Sequence, residues 1–71
     1  MTDSVYKVIE IIGTSSESWE KAAANAVETA SESLRDLRIA EVMQMDVTIE
    51  DGKVQLYRVR LKISFKFERE D

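Results

Sequence analysis

Seventy-one residues make one small domain, 1–71, and a domain this size buries only about 60% of the surface its unfolded chain exposes, so a stabiliser beyond its own core is needed. The absence of Cys and His removes disulfides, the common zinc and transition-metal ligand sets and the usual nucleophile–base pairs; oligomerisation remains as the stabiliser, and the chain reads as a binding or structural protein, not an enzyme. A net charge of -4 from 14 acidic and 10 basic residues opposes nucleic-acid binding. No run approaches the ~20 apolar residues of a membrane span, and Met1-Thr2-Asp3-Ser4 has neither the basic region nor the apolar core of a signal peptide. A cytoplasmic protein without nucleic-acid or membrane partners is expected.

In chain order, Val5 to Ile12 is β-branched and aromatic with two charges, which predicts a central strand ending at Gly13. Thr14 or Ser15 is the expected helix cap, with Glu17 placed to close a capping box on Thr14. The spacing predicts a helix from roughly Ser16 to Asp36, whose stripe of Trp19, Ala22, Ala23, Ala26, Val27, Ala30, Leu34 and Leu37 faces the sheet. Its alanines permit close approach. From Arg38 the period changes to two, interrupted by Asp51-Gly52, a hairpin signal. Two long antiparallel strands follow, the second from Val54 to about Glu68. At about 50 Å it outruns a helix of about 30 Å, so it must curl around the helix or reach a neighbouring subunit. The fold class is α+β, in the order β-α-β-β.

Two registers suit the hairpin. In the preferred one Ile49 faces Val54, Val47 faces Leu56, Met45 faces Arg58, Met43 faces Arg60 and Glu41 faces Lys62, with Val42 and Ala40 on the helix side against Leu61 and Ile63. Ile39, Met43, Met45, Val47, Ile49, Val54 and Leu56 then point away from the helix. That is too much apolar surface for a soluble monomer. A charged residue at Val47 or Leu56 should therefore break an assembly before it disturbs a protomer. The alternative, slipped by one, places Met43, Met45 and Val47 beside Tyr57, Val59 and Leu61 and sets Asp46 opposite Arg58.

Strand Val5–Ile12 with Gly13-Thr14-Ser15, the alanine-rich helix, Leu37-Arg38-Ile39-Ala40-Glu41-Val42 and the ending Ser64-Phe65-Lys66-Phe67-Glu68 together resemble a dodecin, from about Ser4 to Glu68. The resemblance implies a three-stranded antiparallel sheet wrapped around one helix and twelve protomers in a hollow shell. It also implies non-enzymatic storage of small ligands, with flavins (FMN or riboflavin) as stacked pairs and coenzyme A in some bacterial members. The positions matched to the ligand site are Tyr6, Ile39, Arg58 and Lys66. Ile39 stands where the family carries its stacking tryptophan, Arg58 where it carries a glutamine that contacts the flavin, and Asp46 where some members have a basic residue for ligand phosphates. Lys66 retains the basic residue of the last strand. A subgroup without the tryptophan, with a Ser-Trp pair early in the helix like Ser18-Trp19, is associated with calcium, and the chain resembles it most. The resemblance thus implies a flavin-type storage homododecamer or, alternatively, a structural calcium-binding shell that holds no flavin. It assigns no metal ligands.

Trp19 in an alanine stripe reads first as core or subunit contact, and Met43 and Met45 at strand spacing read as interface filling. Arg58, Arg60, Lys62 and Lys66 share one strand face. They suit capture of an anion or, more simply, pairing with Glu41, Asp46 or Glu10. A hard cation would need oxygen ligands, and Glu50-Asp51-Gly52 lacks the ligand spacing of a calcium loop.

Overall fold

A computed structural model describes residues 4–67; Met1 to Asp3 and Glu68, which entered the expectations above, lie outside the described residues. Strand β1 (Tyr6–Ser15), helix α1 (Trp19–Ser31), β2 (Leu37–Glu50) and β3 (Lys53–Lys66) follow in that order. The sheet is antiparallel with strand order β1-β3-β2, so the β-α-β-β expectation holds. Among the described residues no helix is long and apolar enough to cross a membrane.

Two expectations for β1 are corrected. It is an edge strand, and β3 occupies the centre. The apolar run that signalled a central strand divides between two faces: Ile9 and Ile11 pack under the helix, whereas Val8 and Ile12 stay exposed on the opposite side. Nor does the strand stop at Gly13; it continues to Ser15. Gly13 serves the contact between strand and helix, because a Cβ there would meet the carbonyl oxygen of Ala22 and lie 2.8 Å from the Ala26 side chain. The missing side chain sets how closely the layers approach.

The helix is shorter than expected, Trp19–Ser31, because Ser18 caps it: its hydroxyl accepts from the Lys21 amide at 3.0 Å. Ser15 instead accepts from the Glu17 amide at 2.9 Å, within the turn leading into the helix, and no capping box forms on Thr14. Past the last turn, Leu34 bonds back to the Ala30 carbonyl and Asp36, at φ 59, reverses the chain into β2. Leu37 thus packs on the core from outside the helix, while Leu34 is half-buried at a recess with Ile9, Ile11 and Ala30.

Ala22 and Ala26 press on Val59, Leu61 and Ile63, the three large side chains that are fully buried among the described residues. Each contributes about 1.5–3 kcal/mol by leaving water. Ile9, Ile11, Trp19, Val27 and Leu37 close the periphery.

The hairpin follows neither expected register throughout. Asp51 and Gly52, at φ 53 and 72, form a two-residue turn between Glu50 and Lys53, with positive φ at both positions as in the type I′ turn, whose twist matches that of the flanking strands. Ile49 faces Val54, as in the preferred register. The ladder then slips, so that Thr48 faces Leu56, Val47 faces Tyr57, Asp46 faces Arg58, Met45 faces Val59 and Gln44 faces Arg60; it slips back to pair Val42 with Leu61 and Glu41 with Lys62. An extra residue in β3 at Gln55 opens the slipped segment and one in β2 at Met43 closes it. Met45 and Val47, expected to point away from the helix, turn toward it: Met45 lines a recess with Trp19, Val42 and Val59, and Val47 is half-buried opposite Tyr57.

β1 makes its last pair at Ser15 and Tyr57, so the ribbon beyond projects alone and the molecule reaches 56 Å along its longest axis. Near the tip, Ile49 is 68% and Val54 51% exposed.

Candidate functional site

The face of the sheet opposite the helix carries nearly all the candidate residues. Across its three strands the ladder aligns Val8, Ser64 and Ile39; then Glu10, Lys62 and Glu41; then Ile12, Arg60 and Gln44; then Thr14, Arg58 and Asp46. Period two along β3 puts three cations in the central column, and the flanking strands supply the carboxylates.

Two of these cations are taken by ion pairs. Arg58 grips Asp46 with both arms, Nε to Oδ1 at 2.8 Å and Nη2 to Oδ2 at 2.9 Å. Arg60 Nη1 donates to Glu10 at 3.0 Å. Lys62 stands between Glu10 and Glu41 on the ladder but closes no ion pair with either among the described residues. The guanidinium hydrogen bonds hold the Asp46 carboxyl below the usual carboxylate range, against partial desolvation, and the same bonds raise Arg58. A lowered carboxylate pKa means that the pair's stabilisation is present at neutral pH and is lost only as pH falls through the lowered value.

Asp46 is also held from behind. The Trp19 indole N–H donates to its backbone carbonyl at 3.1 Å, and the ring packs edge-on to Tyr57 at 5.0 Å between centroids. Trp19 is therefore a core residue that pins β2, in line with its simpler reading. The sequence gives no direct sign of this bond, which depends on the slipped register.

Ile39 lies at a shallow depression of about 400 Å³ lined also by Val8, Glu10, Glu41, Lys62 and Ser64. It is 66% exposed, so no packing within the protomer has absorbed it. Tyr6 and Lys66 pair one step further along the sheet. Arg58 lies six residues from Ser64 along β3, about 20 Å away. One copy of the chain thus brings together Ile39, Lys66 and Tyr6 but not Arg58, so a site using all four takes residues from more than one protomer. Among the described residues no three acidic side chains cluster as a metal site.

The dodecin family model matches residues 5–68. The chain belongs to the dodecin family. A calcium dodecin of Mycobacterium tuberculosis is 51% identical over 63 residues, 89% of either chain. The fold matches a dodecin from Streptomyces coelicolor with TM-score 0.93 and 41% identity over 99% of this chain and all of that one. It also matches the calcium-chelating calcium dodecin of M. tuberculosis, described with a novel calcium-binding site, at TM-score 0.82 and 49% identity over 96% of this chain and 97% of that one.

In this dodecin the Ile39 position offers contact area without an aromatic face. If symmetry brings the Ile39 positions of two copies together, Ile39→Trp is expected to tighten riboflavin binding by about 1–3 kcal/mol through two added stacking contacts, and Ile39→Trp with Arg58→Gln should exceed it, because glutamine supplies an acceptor that arginine lacks. Riboflavin fluorescence quenching checks both. Particles of unchanged size with no gain in the double variant would show that this face cannot seat the ring.

Proposed function

We propose that this dodecin is a non-enzymatic homododecameric shell protein that binds calcium through carboxylates of adjoining copies and does not hold flavin as a stacked pair. The observation that carries this reading is the state of the ring-binding positions: Ile39 has no π-surface, and the guanidinium of Arg58 is spent on Asp46. Kinship with a calcium dodecin at 51% identity supports the choice of cation. Assembly is supported by the apolar surface one protomer leaves uncovered, including Ile39, Val42, Ile49 and Val54, each more than half exposed, and by the small core. Calcium takes six to eight oxygens. One copy gathers no acidic trio among its described residues, so the site belongs between copies, where symmetry repeats single carboxylates.

Light scattering at micromolar concentration should return twelve times the 8.1 kDa of the chain. Calcium should raise the melting temperature reversibly, by about 2.7 kcal/mol of stabilisation at a hundredfold excess over Kd, with EGTA restoring the lower value. Riboflavin, FMN and coenzyme A should leave Trp19 emission unchanged. A melting temperature indifferent to calcium, or saturable flavin quenching, would overturn the reading.

A second reading, flavin storage, has one observation in its favour: Ile39 is open at a depression of about 400 Å³. The same titration decides between the two.

A further inference from the structure

Three features converge on Asp46. Its carboxylate engages both arms of the Arg58 guanidinium, at 2.8 and 2.9 Å. Its backbone carbonyl is fixed from the helix side by the Trp19 indole at 3.1 Å. The sheet slips by one residue over the segment pairing Gln44–Thr48 with Leu56–Arg60 and returns to its former register beyond. Without that slip Met45 would face Arg58. Bulges are placed features that re-aim side chains, and the opening one is hydrogen-bonded into place, the Leu56 amide donating to the Thr48 hydroxyl at 3.0 Å.

A guanidinium fork donates to a carboxylate or a phosphate in the same two-bond geometry. An oxyanion approaching Arg58 therefore competes with a carboxylate of its own chain that is already seated, and ionised throughout the neutral range. The neighbouring cations are guarded less completely: Glu10 meets Arg60 with one bond of 3.0 Å, and Lys62 stands between Glu10 and Glu41 without a closed pair among the described residues.

We propose that Asp46 is a specificity-determining residue of the sheet face opposite the helix: by filling the fork of Arg58 it closes this face to phosphate-bearing and other oxyanionic ligands, and its removal opens an anion site at Arg58. This rests on the face opposite the helix being a ligand face of this dodecin.

The test is a titration with inorganic phosphate in calcium-free buffer, followed by phosphorus NMR line width and Trp19 emission, on wild type, Asp46→Asn, Asp46→Ala and Asp46→Ala with Arg58→Gln. Asp46→Ala should bind phosphate about tenfold more tightly than wild type, a gain limited by the exposure of the pair. Asp46→Asn, of the same shape, should gain less in the same direction. Added KCl should weaken the new binding, and Arg58→Gln should abolish it. Trp19 emission should respond to phosphate in the two Asp46 single variants, because its indole holds the same residue, and not in the double variant. If Asp46→Ala fails to fold, Asp46→Asn decides alone. No gain in a folded Asp46 variant, or a gain that survives Arg58→Gln, would overturn the proposal. Particle mass and calcium response are read on the wild type. Their failure refutes the shell reading and leaves the phosphate comparison standing.

Discussion

Gly13→Ala is expected to destabilise the folded protomer severely. The added Cβ would be driven into the carbonyl of Ala22 and against Ala26, 2.8 Å away, and both belong to the buried layer on Val59, Leu61 and Ile63. A flexible side chain would yield, but here helix backbone must move. Overpacking ordinarily costs 1–3 kcal/mol, and contact with backbone places this substitution at about 3 kcal/mol or above. At ~0.05–0.15 kcal/mol per residue the whole chain commands only about 4–11 kcal/mol. Far-UV circular dichroism with thermal melting measures the effect. Gly52→Ala is the control: nothing lies within 4 Å of its added methyl, so only the strain of φ +72 is felt, a cost of about 1 kcal/mol. A Gly13→Ala variant melting within a few degrees of wild type would show that helix and sheet are not locked there.

Ile49→Glu is expected to dissolve the assembly while sparing the protomer. Ile49 and Val54 pair near the end of a ribbon that neither β1 nor the helix covers, so a charge there meets only water in the isolated chain. In a shell the same position loses about 1.5–3 kcal/mol of apolar burial per copy, repeated in every protomer. Light scattering should fall from the shell mass toward that of small species, with far-UV circular dichroism retained. Val47, an apparently equivalent choice in the sequence, is a poor probe: it is half-buried on the helix side, so a charge there damages the protomer first. Leu56, 37% exposed, remains usable. An Ile49→Glu particle of unchanged mass would place the interfaces elsewhere.

The contrast between Val47 and Ile49 shows how far a sequence pattern carries. Period two says that alternate residues share a face only while the ladder is unbroken. Each extra residue, at Gln55 and again at Met43, exchanges the faces of what lies between, and neither position has a composition that announces a bulge. The sequence did hold one indication in the charge match of Asp46 with Arg58, which the slipped register satisfies. The alternative match of Glu41 with Lys62 holds as well, because the ladder returns to its first register before reaching it. The candidate site was legible in the same partial way. Ile39 and Arg58 are identified from resemblance, but that they lie about 20 Å apart on one protomer and that Asp46 occupies Arg58 depend on register and bulges.

Strand and helix periodicity and the Asp51-Gly52 turn were enough to determine one helix, three strands and a hairpin, because each follows from local backbone preference. Tertiary structure alone decided that β1 lies at the edge, that the strand runs on through Gly13 into contact with Ala22, and that Trp19 braces Asp46 from the far side of the sheet. These depend on which segments meet across long stretches of chain, and an apolar run or a lone glycine reads the same whether its neighbour is a strand, a helix or another copy.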